Sequence, residues 1–414
     1  MILFLLLSQV DSLSMDKAID IAFSNSPSYY ESKISLDKSR ILFYQTLANL
    51  LPTVSVTGTY TKTEDSGLFT NPYSGSANLG VPIFDLDVIA SIFIGGRQLK
   101  GTKIQHRADI SGLILSLKTA YYNLINAREL LSSSEIAIKR ARENLKLIET
   151  KYTLGAASKL EMLQGEVFEL RALQDRAKAR TLQATAQEEL KSILGITNDI
   201  FPTDTLIAPD SAEFPSLDSL VLILEEVNYN VQITKELRDV AKLDLIASYV
   251  SFLPKISFFY GYTYSSDSLI FDFQHFKDNS TKNYGINVSF PIFEIKSLIF
   301  NHLNAKKELQ LKEFTKKRVI LETKKSLRTN YYALREAHER LHFARKSLDA
   351  ATEASTIAKE QYALGVISFL DFLTTEKSLH ESRVAYISAL SDFYTQRVNL
   401  SYFLGELSFN KERE

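Results

Sequence analysis

The sequence has no cysteine in its 414 residues, which excludes disulfide frameworks, thiolate metal sites, catalytic thiols and amino-terminal lipid attachment. Long apolar runs are also missing. No stretch of about 18 apolar residues occurs, so no helix is long and apolar enough to span a bilayer. An excess of either charge is lacking too, with a formal net charge of −1 and acids and bases interspersed. That removes the electrostatic case for nucleic acid and leaves no polybasic segment to hold an anionic membrane surface. Glycine-rich phosphate loops are absent: Gly95-Gly96 and Gly101 match neither G-x-G-x-x-G nor a Walker sequence, and predict a kink or a late helix start near residue 102. No Ser/His/Asp set or paired-carboxylate cleft appears, so no enzymatic activity and no cofactor are expected.

What is present is one unit written twice. Tyr121-Tyr-Asn-Leu124, Tyr152-Thr-Leu-Gly155 and Ile193-Leu-Gly195 each recur 210 residues later, at Tyr331-Tyr-Ala-Leu334, Tyr362-Ala-Leu-Gly365 and Phe403-Leu-Gly405. Leu51-Pro52 matches Leu253-Pro254 and Pro82-Ile-Phe84 matches Pro291-Ile-Phe293, with about seven extra residues between the prolines of the second copy. The chain divides into a first repeat, 14–195, and a second, 217–405. A linker, 196–216, carries Pro202, Pro209 and Pro215, and a charged tail follows at 406–414. Residues 1–13 read as the remnant of a secretory h-region, or alternatively as the apolar first turn of the opening helix.

Each repeat is expected to run helix, strand pair, very long helix, tight turn, long helix. The opening helices, Met15–Asn49 and Leu217–Ser251, stop ahead of Pro52 and Pro254, because proline cannot continue a helix. Alternation marks four strands. Val54, Val56 and Tyr60 oppose Thr53, Ser55, Thr57 and Thr59, and Ala77, Leu79 and Val81 oppose Ser76, Asn78 and Gly80. In the second copy Ile256, Phe258, Tyr260, Tyr262 and Tyr264 share a face that only Phe259 breaks, and Tyr284, Ile286, Val288 and Phe290 share another. Periodicity alone leaves a soluble sandwich open. Small hydroxyl, Gly and Asn faces and stacked tyrosines fit a membrane barrel with a wet lumen.

The long helices carry a sustained heptad. Ile110, Leu117, Leu124, Leu131, Ile138, Leu145 and Tyr152 form one seam, and Ile320, Leu327, Leu334, Leu341, Leu348, Ser355 and Tyr362 its repeat. Beside them run Ala120, Ala127 and Ala141, and Ala337, Ala344, Ala351 and Ala358, small enough for close helix approach. A helix from about 102 to 154 is roughly 80 Å long. Gly155 and Gly365 suit the left-handed position that ends a helix. Ser158 with Glu161 and Ser368 with Asp371 then form capping boxes at αα-hairpin tips.

His338-Glu-Arg-Leu-His342 is a literal H-E-x-x-H zinc sequence. Leu341 lies in the seam, however, which turns both histidines off the core. No third ligand follows, and the first copy has Arg128-Glu-Leu-Leu-Ser132 there, so no metal is expected.

Taken in order and twice over, the Y-x-x-G-x-x-S-x-x-[E/D] tips, the L-P and P-I-F strand borders, the L-G helix ends and Leu13-Ser-Met-Asp-Lys-Ala-Ile19 with Asn25-Ser-Pro27 resemble the outer-membrane efflux protein (TolC) family from 14 to 405. The resemblance implies a mainly α fold with a β-barrel part, a trimer whose helical hairpins form an α-barrel, and four transmembrane strands per protomer. It implies an outer-membrane channel of a tripartite efflux or type I secretion system in a Gram-negative-type cell. Expected partners are a periplasmic adaptor (membrane fusion) protein, an inner-membrane RND or ABC transporter, and outer-membrane lipid. Carried over by position, Tyr152, Gly155, Ser158, Tyr362, Gly365 and Ser368 become adaptor-docking tips. Glu161, Ile367, Asp371 and Thr374 become the lumen constriction. Thr374 stands where the family has a second acid and Ile367 where it has a base, so apolar contacts of Ile367 and Phe369 are expected to close the mouth. The competing reading is a soluble coiled-coil periplasmic adaptor or fibre, which explains the heptads and leaves the matched strands without a role.

Overall fold

The computed structural model describes residues 13–61, 73–209, 214–266, 273–290 and 295–407. In chain order these form α1 (Met15–Asn25), α2 (Pro27–Ala48), β1 (Thr53–Tyr60), β2 (Tyr73–Phe84), α3 (Leu86–Thr153), α4 (Lys159–Leu194), α5 (Leu217–Val227), α6 (Tyr229–Val250), β3 (Lys255–Ser266), α7 (Phe273–Asp278), β4 (Ser280–Ser289), α8 (Ile295–Ala363) and α9 (Phe369–Phe403). The second copy's P-I-F motif, most of the leader segment and most of the charged tail lie outside the described residues. The chain forms two compact units, one from Met1–Lys33, Arg107–Tyr229 and Leu321–Glu414, the other from Ile34–His106 and Asn230–Ile320.

The first unit is helical and carries the seam. Ile110, Leu117, Leu124 and Ile138 are buried with Ala120, Ala127 and Ala141, and so are Leu327, Leu334 and Leu341 with Ala337, Ala344 and Ala358. Each opening helix is broken, which continuous apolar periodicity does not show. Ser26 and Asn228 both adopt extended backbone, and α2 restarts at Pro27, where a missing N–H is harmless. The L-G motifs supply the reason. Gly195 is left-handed at φ +67, and a Cβ there would stand 2.5 Å from the Asn25 carbonyl oxygen; Gly405, at φ +66, faces the Val227 carbonyl in the same way. Each repeat's last helix thus ends against the break in its own first helix, and Asn228 Nδ2 donates to the Phe403 carbonyl at 3.1 Å. Leu13, assigned above to the leader remnant, is fully buried. Its N–H donates to the Phe201 carbonyl at 2.8 Å, and its carbonyl accepts from Tyr121 Oη at 2.7 Å.

The second unit holds the sheet. Its strands are antiparallel in the order β1-β2-β3-β4, leaving β1 and β4 as edges. Register places Val54, Leu79, Tyr260 and Tyr284 in one row and Val81, Phe258 and Ile286 in another, so the apolar faces of all four strands coincide. The opposite face presents Ser55-Asn78-Gly261-Asn283 and Thr57-Ser76-Thr263-Thr281. Phe259 lies on this polar face because its ring covers Gly285 across the strand pair, filling the space a side chain would take. Helix α3 starts at Leu86, well before residue 102, with Asp85 Oδ1 accepting from the Asp87 N–H at 3.0 Å. Gly95, Gly96 and Gly101 sit inside it. Gly95 and Gly96 lie against Phe43 of α2 and Gly101 lies against Glu236 of α6, and α3 runs through all three as one helix. At 68 residues, α3 contains about 100 Å of helical path.

Candidate functional site at the hairpin tips

The tips are built by local chemistry. At the first, the Ala156 N–H donates to the Lys151 carbonyl at 2.7 Å and Gly155, at φ +71, to Tyr152 at 3.0 Å; the second repeats this with Val366 to Gln361 at 2.8 Å and Gly365 to Tyr362 at 3.1 Å. This paired reversal needs a left-handed residue, which glycine supplies without a Cβ penalty. Both capping boxes close. Glu161 N–H donates to Ser158 Oγ at 3.2 Å while Ser158 N–H donates to Glu161 Oε2 at 2.7 Å. Asp371 N–H donates to Ser368 Oγ at 3.1 Å, Ser368 Oγ donates to Asp371 Oδ2 at 2.6 Å, and Ser368 N–H reaches the same oxygen at 3.4 Å.

Beneath the turns the two hairpins share a small core of Ile148, Ala358, Tyr362, Phe369, Phe372 and Leu373. Tyr362 stacks on Phe372 with centroids 5.3 Å apart and planes 2° from parallel, and the Lys151 ammonium lies 4.0 Å above the Tyr362 ring from the other tip. Burial raises the Tyr362 phenol above its ordinary pKa, and the Glu161 carboxylate adds to the shift. Gly165 is the seat: a Cβ there would stand 3.2 Å from Ile148 and 3.5 Å from the Phe369 ring. Phe369, expected at the mouth, is 0 % exposed and spends its apolar surface inside the protomer, with Ile367 half-buried beside the same cluster. Asp371 and Thr374 are exposed, and Thr374 Oγ1 donates to the Leu370 carbonyl at 2.8 Å. Sequence reasoning missed the aromatic lock. Its signal was the asymmetry between copies, since Phe369 and Phe372 stand where the first tip has Lys159 and Met162.

Outward from this lock the tips are apolar. Leu154, Leu160, Val366 and Leu370 are exposed, and Leu364 is 80 % exposed. One hairpin-to-hairpin tie is ionic. The buried Glu376 carboxylate accepts from Ser355 Oγ, and from Arg140 at 3.4 Å to each oxygen. The H-E-x-x-H residues are placed otherwise than a zinc site requires: His338 packs against Phe393 and Phe214, Leu341 is buried in the seam, and His342 is exposed. Among the described residues no group of three His, Cys, Asp or Glu side chains could hold a metal.

The model of the family described as outer membrane efflux protein matches residues 18–196 and 238–406, taking in both tips and both L-G elbows. The chain belongs to the outer membrane efflux protein family. Within it, the toluene efflux pump outer membrane protein TtgC of Pseudomonas putida is 24 % identical over 412 residues, covering 95 % of this chain and 83 % of the relative. The solved structure of CusC, described as forming a transmembrane channel, superposes with a TM-score of 0.82 at 17 % identity, over 94 % of this chain and 92 % of that one. The CmeC outer membrane channel of Campylobacter jejuni gives 0.81 at 19 % identity, over 94 % and 85 %. The fold is therefore that of the family's channels, long helical hairpins joined to a β-barrel part.

Proposed function

We propose that the chain is one protomer of a trimeric outer-membrane channel, without catalytic activity, that passes solutes outward from a periplasmic pump complex. The sheet carries the reading. Its apolar face is exposed in the protomer, with Val56 at 78 %, and four strands cannot close a membrane barrel, whose smallest form has eight. Edge β1 of one copy must then pair with edge β4 of the next, and three copies give twelve strands with the hydroxyl and amide face lining the lumen. The soluble adaptor or fibre reading leaves this apolar face uncovered and is not favoured.

The tips serve as the docking end. Tyr152, Gly155, Ser158, Tyr362, Gly365 and Ser368 shape two matched turns that hold the exposed leucines toward a periplasmic adaptor protein, which links the channel to an inner-membrane RND or ABC transporter. Glu161, Ile367, Asp371 and Thr374 border the constriction, with Asp371 as its exposed charge. The absence of native cysteine makes a direct test available. Chains carrying one cysteine in β1 and a second in the facing position of β4 are expected, on oxidation, to form disulfide-linked species up to a trimer in membranes and no further. A stable monomer purified without detergent refutes the channel.

A further inference from the structure

Between α3, α4 and α9 lies a pocket of about 130 Å³ whose apolar lining is Ala137 from α3, Phe168 and Ala172 from α4 and Leu379 from α9, with the exposed Ile136 at its edge. Its charged rim does not balance. Each acid on the rim is already engaged: Glu376, 7 % exposed, by Arg140 and Ser355, Asp175 by Lys178 at 3.5 Å, and Glu381 by Lys377 at 3.6 Å. The guanidiniums of Arg171, from α4, and Arg383, from α9, line the same pocket and make no hydrogen bond or ion pair with a described residue. Burial and the neighbouring Arg140 both lower the pKa of Arg383, and Glu376 offsets this only in part. His380, on the same rim, is held below its usual pKa by burial and adds no charge at neutral pH. A guanidinium offers a planar fork of donors that fits a carboxylate. Arg383 is half-buried and left without an acceptor, which is costly, while Arg171 is exposed at the pocket's edge and free to swing onto a ligand.

We infer that this pocket binds a small organic anion, a carboxylate whose ring or short aliphatic body fills the floor while Arg171 and Arg383 hold its head. Size sets the class, since an apolar cavity of about 150 Å³ accepts a benzene ring. Because one guanidinium comes from the first repeat's returning helix and the other from the second's, such a ligand ties α4 to α9 and stiffens the packing of the two hairpins.

Benzoate is the probe, titrated into the full chain in detergent and read by calorimetry and by thermal unfolding. It is expected to bind and to raise Tm with concentration, while benzyl alcohol, which has the same ring without the charge, does neither. Arg171→Gln and Arg383→Gln are each expected to weaken benzoate about tenfold, the loss of one charge-assisted contact. Ala137→Leu fills the floor without altering charge and should abolish binding; circular dichroism establishes that each variant is folded. Equal binding of benzyl alcohol, unchanged affinity in both arginine variants, or a sulfate effect as large as that of benzoate overturns the assignment.

Discussion

Asp371 can be given two jobs, and substitution separates them. In the structure its carboxylate closes the capping box with Ser368, and in the proposed trimer three copies approach one axis. Asp371→Asn keeps an oxygen acceptor for the Ser368 N–H and removes the charge, losing mainly the attraction to the helix N-terminus, about 0.3–1 kcal/mol. Asp371→Ala also removes the acceptor of the Ser368 N–H and loses about 1 kcal/mol more, the usual net worth of a hydrogen bond. Since 1 kcal/mol is roughly a factor of five in an equilibrium, native-state hydrogen exchange at the first amides of α9 should speed up severalfold in Asn, and about fivefold further in Ala. Planar-bilayer recordings read the second job. A ring of three carboxylates favours cations at a narrow mouth, so Asn and Ala should lose cation selectivity alike despite their different stabilities. Exchange as fast in Asn as in Ala would refute the capping geometry. Unchanged selectivity in both variants would leave Asp371 a helix cap and remove it from the constriction.

Phe369→Ala empties the shared tip core and is expected to cost about 3–5 kcal/mol locally, read as lost exchange protection on both hairpins, with the sheet amides unaffected. Gly195→Ala and Gly405→Ala place a Cβ on a left-handed backbone and against a carbonyl, so each should lower Tm more than Gly112→Ala, whose Cβ meets nothing within 4 Å. His380, held below its usual pKa chiefly by burial, binds fewer protons folded than unfolded. Its share of stability is therefore present above the unfolded value, 6.5, and is lost as pH falls from there through the folded pKa. The drop in Tm between neutral and mildly acidic pH should be smaller in His380→Gln than in the parent.

The heptads, the tips and the strand faces were legible because each is a local pattern whose period the fold preserves: Leu117, Leu327 and Leu341 are buried as their spacing requires. The break in the second copy's opening helix was not, since Asn228 precedes Tyr229 with no proline to mark it, as Pro27 marks the first, and the cause lies with Gly405 far along the chain. Gly95 and Gly96 misled in the opposite sense, because a glycine inside a helix looks in sequence like one that ends it. Phe369 was assigned to the mouth on apolarity alone, and what decides its place is Gly165 on the other hairpin. The pairing of Arg171 with Arg383 across a pocket was likewise invisible, for it depends on how α4 meets α9.

The elbows at Gly195 and Gly405 bear on the order in which the chain can assemble as it is made. The core around Leu13, Tyr121, Leu190 and Leu194 draws only on residues up to Leu206, whereas its counterpart around Leu224, Leu334 and Leu404 begins at Leu206. At about 5–20 residues per second, the first core has every member it needs roughly 10–40 s into synthesis, before any of the second copy's strands exist. Strand β2 has the opposite fate. Its pairing with β3 spans the two copies, so its inward edge stays unpaired until the second half arrives. A helical core complete early and a strand completed late leave the edge of β2 as the last pairing surface to be satisfied, open to wrong partners until the second repeat is in place.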